Sequence, residues 1–248
     1  MMGCDNPASS VETHTHTWGG WEETSPATYT ATGVETGTCT VCGQTTTRPI
    51  PQIAITSTSE LGTVLAGLTD NTIATPYTLR VNLSSETISH HAAALNNNLT
   101  KYVFLDMSGS TFTQNIFSFA SCTNLTGIIL PASVTIIPQT AFSGCSNLAS
   151  VTVLGNITEI VLYAFYNCSS LVSFTIPASV TKLGVSSFEG CTNLANVTFE
   201  GTIPIDNFPL QSPFPGDLRA KFYATDAANG TPGTYTRTPP GTVWTKQN

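Results

Sequence analysis

The chain has 248 residues and a mass of 26.2 kDa, enough for one or two domains, and its 40% apolar content supports a packed core rather than general disorder. Only 9% of residues are charged and the eight Lys and Arg lie singly in a chain of net charge −7, which excludes the clustered basic surface of a nucleic-acid binder. No apolar run reaches the roughly 18 residues of a membrane-spanning helix, and 42 Thr with 23 Ser supply the polar surface that charges usually provide.

Met1-Met2-Gly3-Cys4 resembles the end of a lipoprotein signal, in which a small residue precedes the cysteine that takes the lipid. Cys4 is therefore the expected lipidation site, and residues 1–10 read as a residual lipoprotein start and tether. Residues 11–51 form a small Cys-x-x-Cys module. His14-Thr15-His16-Thr17-Trp18 precedes Cys39-Thr40-Val41-Cys42-Gly43, an order that resembles a small module found beside surface repeats. The usual form of that module carries a further cysteine where this chain has Tyr29. Residues two apart on a strand share a face, so His14 and His16 with Cys39 and Cys42 would give two nitrogens and two thiolates for a structural zinc. A Cys39–Cys42 disulfide, two free thiols or an empty module remain open alternatives. A module this short has little core and gains from such a staple.

Residues 52–100 read as an α/β cap on the N-terminal side of residues 101–200. Ser57-x-x-Glu60 is a capping box that opens a helix with Leu61, Val64, Leu65 and Leu68 on one face. Tyr77, Leu79, Val81 and Leu83 alternate as in a strand, and Ser85 caps a second helix with Ile88, Ala92, Leu95 and Leu99 inside. His90 and His91 follow Ser89, but adjacent helix positions do not share a face, and a solvated surface explains them.

Residues 101–200 carry a repeat. Cys122, Cys145, Cys168 and Cys191 stand 23 residues apart, with Phe119, Phe142, Phe165 and Phe188 three before them and Leu125, Leu148, Leu171 and Leu194 three after. Ile128, Val151, Phe174 and Val197 follow, then Leu130, Val153, Ile176 and Phe199, alternating as in a strand with one buried face. Pro131, Val134 and Ile137 recur as Pro177, Val180 and Leu183, whereas the copy between has Leu154, Ile157 and Ile160. Such a unit cannot bury its core alone and must stack, so equivalent residues form columns about 4.8 Å apart. Val103 and Leu105 are expected as the first strand of the stack. The Phe and Cys columns should lie inside, the thiols buried, reduced and inert, because parallel side chains do not turn toward each other as a disulfide requires.

Segments such as Ile176-Pro177-Ala178-Ser179-Val180-Thr181 and Phe188-Glu189-Gly190-Cys191-Thr192-Asn193-Leu194 resemble the BspA-like leucine-rich repeats of bacterial surface proteins, recurrent in oral bacteria and spirochaetes. The resemblance implies a right-handed leucine-rich repeat solenoid with one parallel β-strand per repeat. It further implies an extracellular, cell-surface setting and a role in adhesion or partner binding. The partners it implies are a host extracellular-matrix or serum protein, or a glycan on another cell, with membrane contact only through a lipid anchor.

Residues 201–248 are expected to close the far end. The repeat fades through Pro204, Pro209, Pro213 and Pro215. Thr234-Tyr235-Thr236-Arg237 and Val243-Trp244-Thr245-Lys246 flank Thr-Pro-Pro-Gly-Thr as in a β-hairpin; Tyr235 and Trp244 are either part of that cap or an exposed aromatic patch.

Catalytic chemistry finds little support. All six Asp and all four His lie outside residues 122–199, where Glu159 and Glu189 are the only carboxylates and their spacing of 30 does not stack on a 23-residue repeat. Paired carboxylates or a nucleophile–His set need partners within hydrogen-bond reach. No catalytic residue is assigned. The expected binding surface is the outward strand column Ile129, Thr152, Thr175 and Thr198, beside Ser150, Ser173 and Asn196. Thr suits any exposed strand, so the column has a purely structural explanation too, and a ligand-free spacer is the alternative to a binder.

Overall fold

The architecture is that of a computed structural model describing residues 15, 17–83, 91–112, 115–211 and 213–247. Cys4, His14, His16, Ser85, Ile88 and His90 lie outside the described residues. The chain divides into two compact units between Ala54 and Ile55.

In the first unit, β1 (Trp18–Ser25), β2 (Gly33–Cys39) and β3 (Thr45–Ile50) form an antiparallel sheet in that order. Its apolar content is slight. Trp21 crosses Gly37, where a Cβ would come within 2.8 Å of the ring, and the Arg48 guanidinium lies 4.0 Å from the Trp21 centroid while pairing with Glu35. Pro49 is tolerated because β3 is an edge strand.

The second unit opens with α1 (Thr58–Gly67). The Ser57 hydroxyl accepts from the Glu60 N–H at 3.1 Å, satisfying one orphan donor of the helix, and the Glu60 carboxylate accepts from the Thr56 N–H at 2.7 Å, which fixes the chain entering the cap. Leu61 and Leu65 are fully buried. The strand β4 (Tyr77–Arg80) follows, then α2 (His91–Asn96) and β5 (Val103–Asp106). Leu99 is not on an inner helix face: α2 stops at Asn96, the Asn98 N–H closes onto Leu95, and Leu99 is 53% exposed in the turn beyond. Three consecutive Asn compete for backbone hydrogen bonds and end the helix one turn early.

The solenoid strands are β6 (Leu125–Leu130), β8 (Ser150–Val153), β10 (Ser173–Ile176) and β12 (Asn196–Phe199). A companion pair of residues lies on the other side of each coil, giving β7 (Ile136–Ile137), β9 (Glu159–Ile160) and β11 (Lys182–Leu183). All contacts between successive coils are parallel and in the 23-residue register, for example Ile128 with Val151, Phe174 with Val197, and Ile137 with Ile160. Val103 and Leu105 do not begin this sheet. Tyr77–Arg80 pairs parallel with Val103–Asp106, and Val81 makes one further parallel bridge to Ile55, so the first rung comes from the segment that the sequence assigns to the cap.

The interior columns form as the repeat dictates. Phe119, Phe142, Phe165 and Phe188 are fully buried and stack face to face at 5.6, 5.1 and 5.0 Å, close to the strand spacing that generates them. Phe214 continues the stack at 4.7 Å from Phe188, so the column outlasts the visible repeat; its place is reached after 26 residues instead of 23. Three of the coils turn through two residues of positive φ, Thr140 and Gly144, Tyr163 and Asn167, Ser186 and Gly190, and the coil of Cys122 through one, Ser121. The backbone needs a left-handed residue before each Cys, and only two of the four such positions are glycine.

The parallel ladder is not continuous. β4-β5-β6-β8 form one sheet, and β10-β12 form another, extended antiparallel by β13 (Gly233–Thr236) and β14 (Thr245–Lys246). Between β8 and β10 the main face is unpaired, whereas β7-β9-β11 run unbroken behind it. After β12 a 3-10 turn (Ile205–Asn207) and α3 (Leu218–Phe222) pack an aromatic cluster of Phe199, Phe208, Phe214, Phe222 and Tyr235. Tyr235 is 0% and Trp244 1% exposed, so they form no aromatic patch at the surface.

Candidate binding surface

Outward positions of the strands form two columns whose order follows the register. One runs Arg80, Asp106, Ile129, Thr152 and then, past the interruption, Thr175, Thr198 and Thr234; the other runs Thr78, Phe104, Gly127, Ser150 and then Ser173, Asn196 and Thr236. The columns are not uniform. At the N-terminal end Gly127 is buried, since the Phe104 ring would meet a Cβ there at 2.5 Å, and Ile129 is half-buried. At the other end Thr198 and Asn196 are half-buried, and the Thr198 hydroxyl shares a 2.9 Å hydrogen bond with Thr234 of β13. Ser150, Thr152, Ser173 and Thr175 are exposed, and the structure brings these four together at the centre. The charged start of the first column, Arg80 and Asp106, escapes a sequence reading because β4 sits outside the visible repeat.

Thr152, Ser173 and Thr175 flank a cleft of about 430 Å³ where the ladder is interrupted; Val151, Phe174, Leu154 and Pro177 line it with them. The coil interior is less covered here than elsewhere: Val151 and Val153 are half-buried, while Ile128, Leu130, Val197 and Phe199 at the equivalent positions are buried.

The interior thiols are placed for structure. The Sγ–H of Cys145, Cys168 and Cys191 donates to the carbonyls of Phe119, Phe142 and Phe165 at 2.9, 3.0 and 3.2 Å, so each thiol satisfies an acceptor of the preceding coil. Burial pushes the Cys122 and Cys191 thiols up to about 12, and raises Cys145 and Cys168 as well. A nucleophile needs the opposite environment. Glu159 is bound to Lys182 at 2.8 Å on the companion strands.

Two polar side chains bind backbone carbonyls of other segments: Asn124, at the repeat position that also holds Asn147 and Asn193, near the start of the cysteine coils, and Arg237 at the far end of the stack. The buried Asn124 amide donates to the carbonyls of Leu95, Asn98 and Lys101 at 3.0–3.1 Å, tying the turn after α2 to the first cysteine coil. Arg237 turns inward from the end of β13 and donates to the carbonyls of Leu194, Cys191 and Thr192 on the last coil and of Gly241 beyond it, at 2.6 to 3.1 Å. Its guanidinium also faces Trp244 at 5.3 Å from the ring centroid. A basic residue shortly before Pro-Pro reads as ordinary strand surface; only the fold shows that it replaces the donors a further coil would have supplied.

In the first unit, Cys39 ends β2 and is buried, and Cys42 lies exposed in the turn, where the Gly43 N–H donates to Cys39 at 3.0 Å. Among the described residues no three His, Cys, Asp or Glu side chains converge, His14 and His16 being outside them.

Residues 111–208 match the family model of the BspA type leucine rich repeat region, in six copies. A leucine rich repeat protein of T. pallidum is 29% identical to this chain over 38% of its length and 46% of the other, with a TM-score of 0.34. A leucine rich cell surface protein of Faecalibacterium prausnitzii A2-165 is 20% identical, over 65% of this chain and 46% of that one, with a TM-score of 0.36. The chain thus spans under half the length of each of these structures. No curated protein matches it. The family match covers the coils from Phe112 to Phe208, so the similarity rests on the stretch that carries the Phe and Cys columns.

Proposed function

We propose that this chain is a non-enzymatic bacterial cell-surface protein that binds macromolecular partners through the outward strand face of its solenoid. The observation that carries the reading is the central group Ser150, Thr152, Ser173 and Thr175, exposed and uncharged on a backbone fixed by fully buried Phe, Cys and Leu columns. Hydroxyls there act as donors and acceptors without the desolvation cost of charges, which suits a protein segment or a glycan. The partner is an extracellular-matrix or serum protein, or a glycan on another cell. Attachment through a lipid on Cys4 and a zinc held by His14, His16, Cys39 and Cys42 belong to the same proposal for an exported, surface-held chain.

The test is a solid-phase screen of the purified chain against matrix proteins, serum proteins and glycans, beside a Thr152→Lys/Thr175→Lys variant. A saturable hit lost in the variant supports the outer face as the site. A hit retained in the variant moves the site elsewhere. The absence of any hit favours the spacer.

A further inference from the structure

The N-terminal end of the outward strand face carries an arginine that the fold leaves unbonded. Arg80 of β4 stands opposite Asp106 of β5, both half-buried, and among the described residues its guanidinium forms no hydrogen bond, ion pair or ring contact. Most other basic side chains of the chain bind a carboxylate or a carbonyl, Lys182 and Arg237 among them. The Arg80 Nε is sealed from solvent without an acceptor, so the terminal nitrogens are the part of the group that a ligand can meet. Asp106 does not turn to Arg80. One of its carboxylate oxygens accepts from the Ser108 N–H at 3.0 Å, which holds the side chain in place, and the other has no partner among the described residues.

Beside this pair an aromatic ring lies on the solvent side of the sheet. β5 and β6 are out of step by one residue: Val103 pairs with Leu125 but Phe104 pairs with Gly127, and the Thr126 hydroxyl donates to the Val103 carbonyl at 2.9 Å, which holds the extra residue. The bulge sets a glycine next to Phe104. A Cβ on Gly127 would lie 2.5 and 2.7 Å from Cδ2 and Cε2 of that ring and 2.6 Å from the Ser150 hydroxyl, so only glycine lets the ring reach across the strand. Val103 and Leu105 on either side point inward and are fully buried, whereas Phe104 is half-buried and packs on no other ring. Phe104 and Asp106 are two residues apart on one strand, about 6.6 Å, and Arg80 lies one strand away from Asp106, about 4.8 Å.

We infer that Phe104, Arg80 and Asp106 form a binding site for a neutral pyranose, the terminal sugar of a glycan. The inference rests on the reading of the outward strand face as a binding surface and places its sugar contact at the N-terminal end. A pyranose has a face of C–H groups and a rim of hydroxyls. The C–H face meets the negative face of the Phe104 ring, while two neighbouring hydroxyls accept from the Arg80 guanidinium and donate to the Asp106 carboxylate. The exposed hydroxyls of Thr78 and Ser150 stand to either side of the ring for the remaining polar groups. The charged pair also selects against other ligands. Asp106 offsets the field of Arg80 and repels a carboxylate or phosphate, and Arg80 does the same to an ammonium group. An apolar peptide side chain would cover Phe104 but strip water from the guanidinium and give no acceptor in return. A ligand that both donates and accepts is the one that uses both side chains.

The test uses the full chain against immobilised neutral oligosaccharides ending in glucose, galactose, mannose or N-acetylglucosamine, beside sialylated and sulfated glycans. Phe104→Leu keeps an apolar side chain and removes the ring face, and Arg80→Gln removes the charge and most donors. The expected result is saturable binding of a neutral glycan, weakened roughly tenfold or more in each of these variants and unchanged in Thr175→Lys at the centre of the face. Saturation-transfer NMR on the unsubstituted chain needs no variant to fold: transfer should be strongest to the C–H protons of one pyranose face. Transfer spread evenly over the sugar, or binding that both variants leave intact, overturns the inference. So does a preference for acidic glycans that Asp106→Asn strengthens, since the site would then be one for anions. If no neutral glycan binds while a matrix or serum protein does, the sugar site falls and the binding role of the solenoid stands.

Discussion

The buried thiol column makes the fold sensitive to alkali in a way its sparse charges do not. In an unfolded chain Cys ionises near pH ~8.5. In the folded chain, burial pushes Cys122 and Cys191 up to about 12, with Cys145 and Cys168 also raised by burial and by neighbouring thiols of the same column. Above about pH 8.5 the unfolded state releases protons that the native state keeps, so it binds fewer protons and stability falls as pH rises. Below that pH the contribution is fully present, and it is lost progressively toward about pH 12. Between roughly pH 7.5 and pH 9.5 each thiol costs about 1.4 kcal/mol, and the four together cost about 5.5 kcal/mol. That is a large part of the roughly 5–15 kcal/mol typical of a folded domain. The measurement is urea unfolding by far-UV circular dichroism at both pH values under a reductant, with iodoacetamide labelling of the native chain in parallel. The expected result is a midpoint that drops steeply with pH while the four thiols remain unlabelled until the chain unfolds. A stability loss below about 1 kcal/mol, or native labelling of these cysteines at the rate of a free thiol, would refute the argument that they are sealed and protonated.

Arg237→Leu leaves the carbonyls of Leu194 and Thr192 without their donor and Cys191 with only the Leu194 N–H, and we expect a loss of about 3–5 kcal/mol with amide exchange rising first in the last coil; Arg237→Lys should recover part of it, and a loss within about 1 kcal/mol would show that the guanidinium is dispensable. Phe165→Ala removes a ring stacked between Phe142 and Phe188 and should cost about 3–5 kcal/mol in chemical denaturation, whereas Phe165→Leu should cost clearly less. Gly144→Ala should cost about 1 kcal/mol for its left-handed backbone alone, because a Cβ there finds its nearest atom at 3.5 Å. Gly184→Ala should cost more, although its φ is ordinary, because a Cβ would lie 2.1 Å from the Leu162 nitrogen; equal melting temperatures for the two variants would sink that ranking.

The repeat alone makes the interior legible. Fixed spacing of Phe, Cys and Leu permits one arrangement of stacked coils, since equivalent side chains must fall into columns at the strand spacing, and Phe119 to Phe188 and Cys122 to Cys191 do so. Where the period ends, so does the information. Phe214 enters the Phe column from a segment of different spacing, Tyr77–Arg80 becomes a rung without a cysteine, and Leu99 leaves its helix because three Asn end it. The candidate surface was legible as two columns of outward residues, but a period alone treats every coil as equal. Which of them stay open depends on distances between coils: Phe104 covers Gly127, β13 covers Thr198, and the close approach of Gly155 to Val134 opens the face between Thr152 and Thr175. The sequence by itself determined what each coil buries, because burial follows from periodicity within one chain segment. Only the tertiary structure decided how tightly each coil sits on the next and that Arg237 ends the stack, because those outcomes depend on contacts between residues 21 to 46 positions apart.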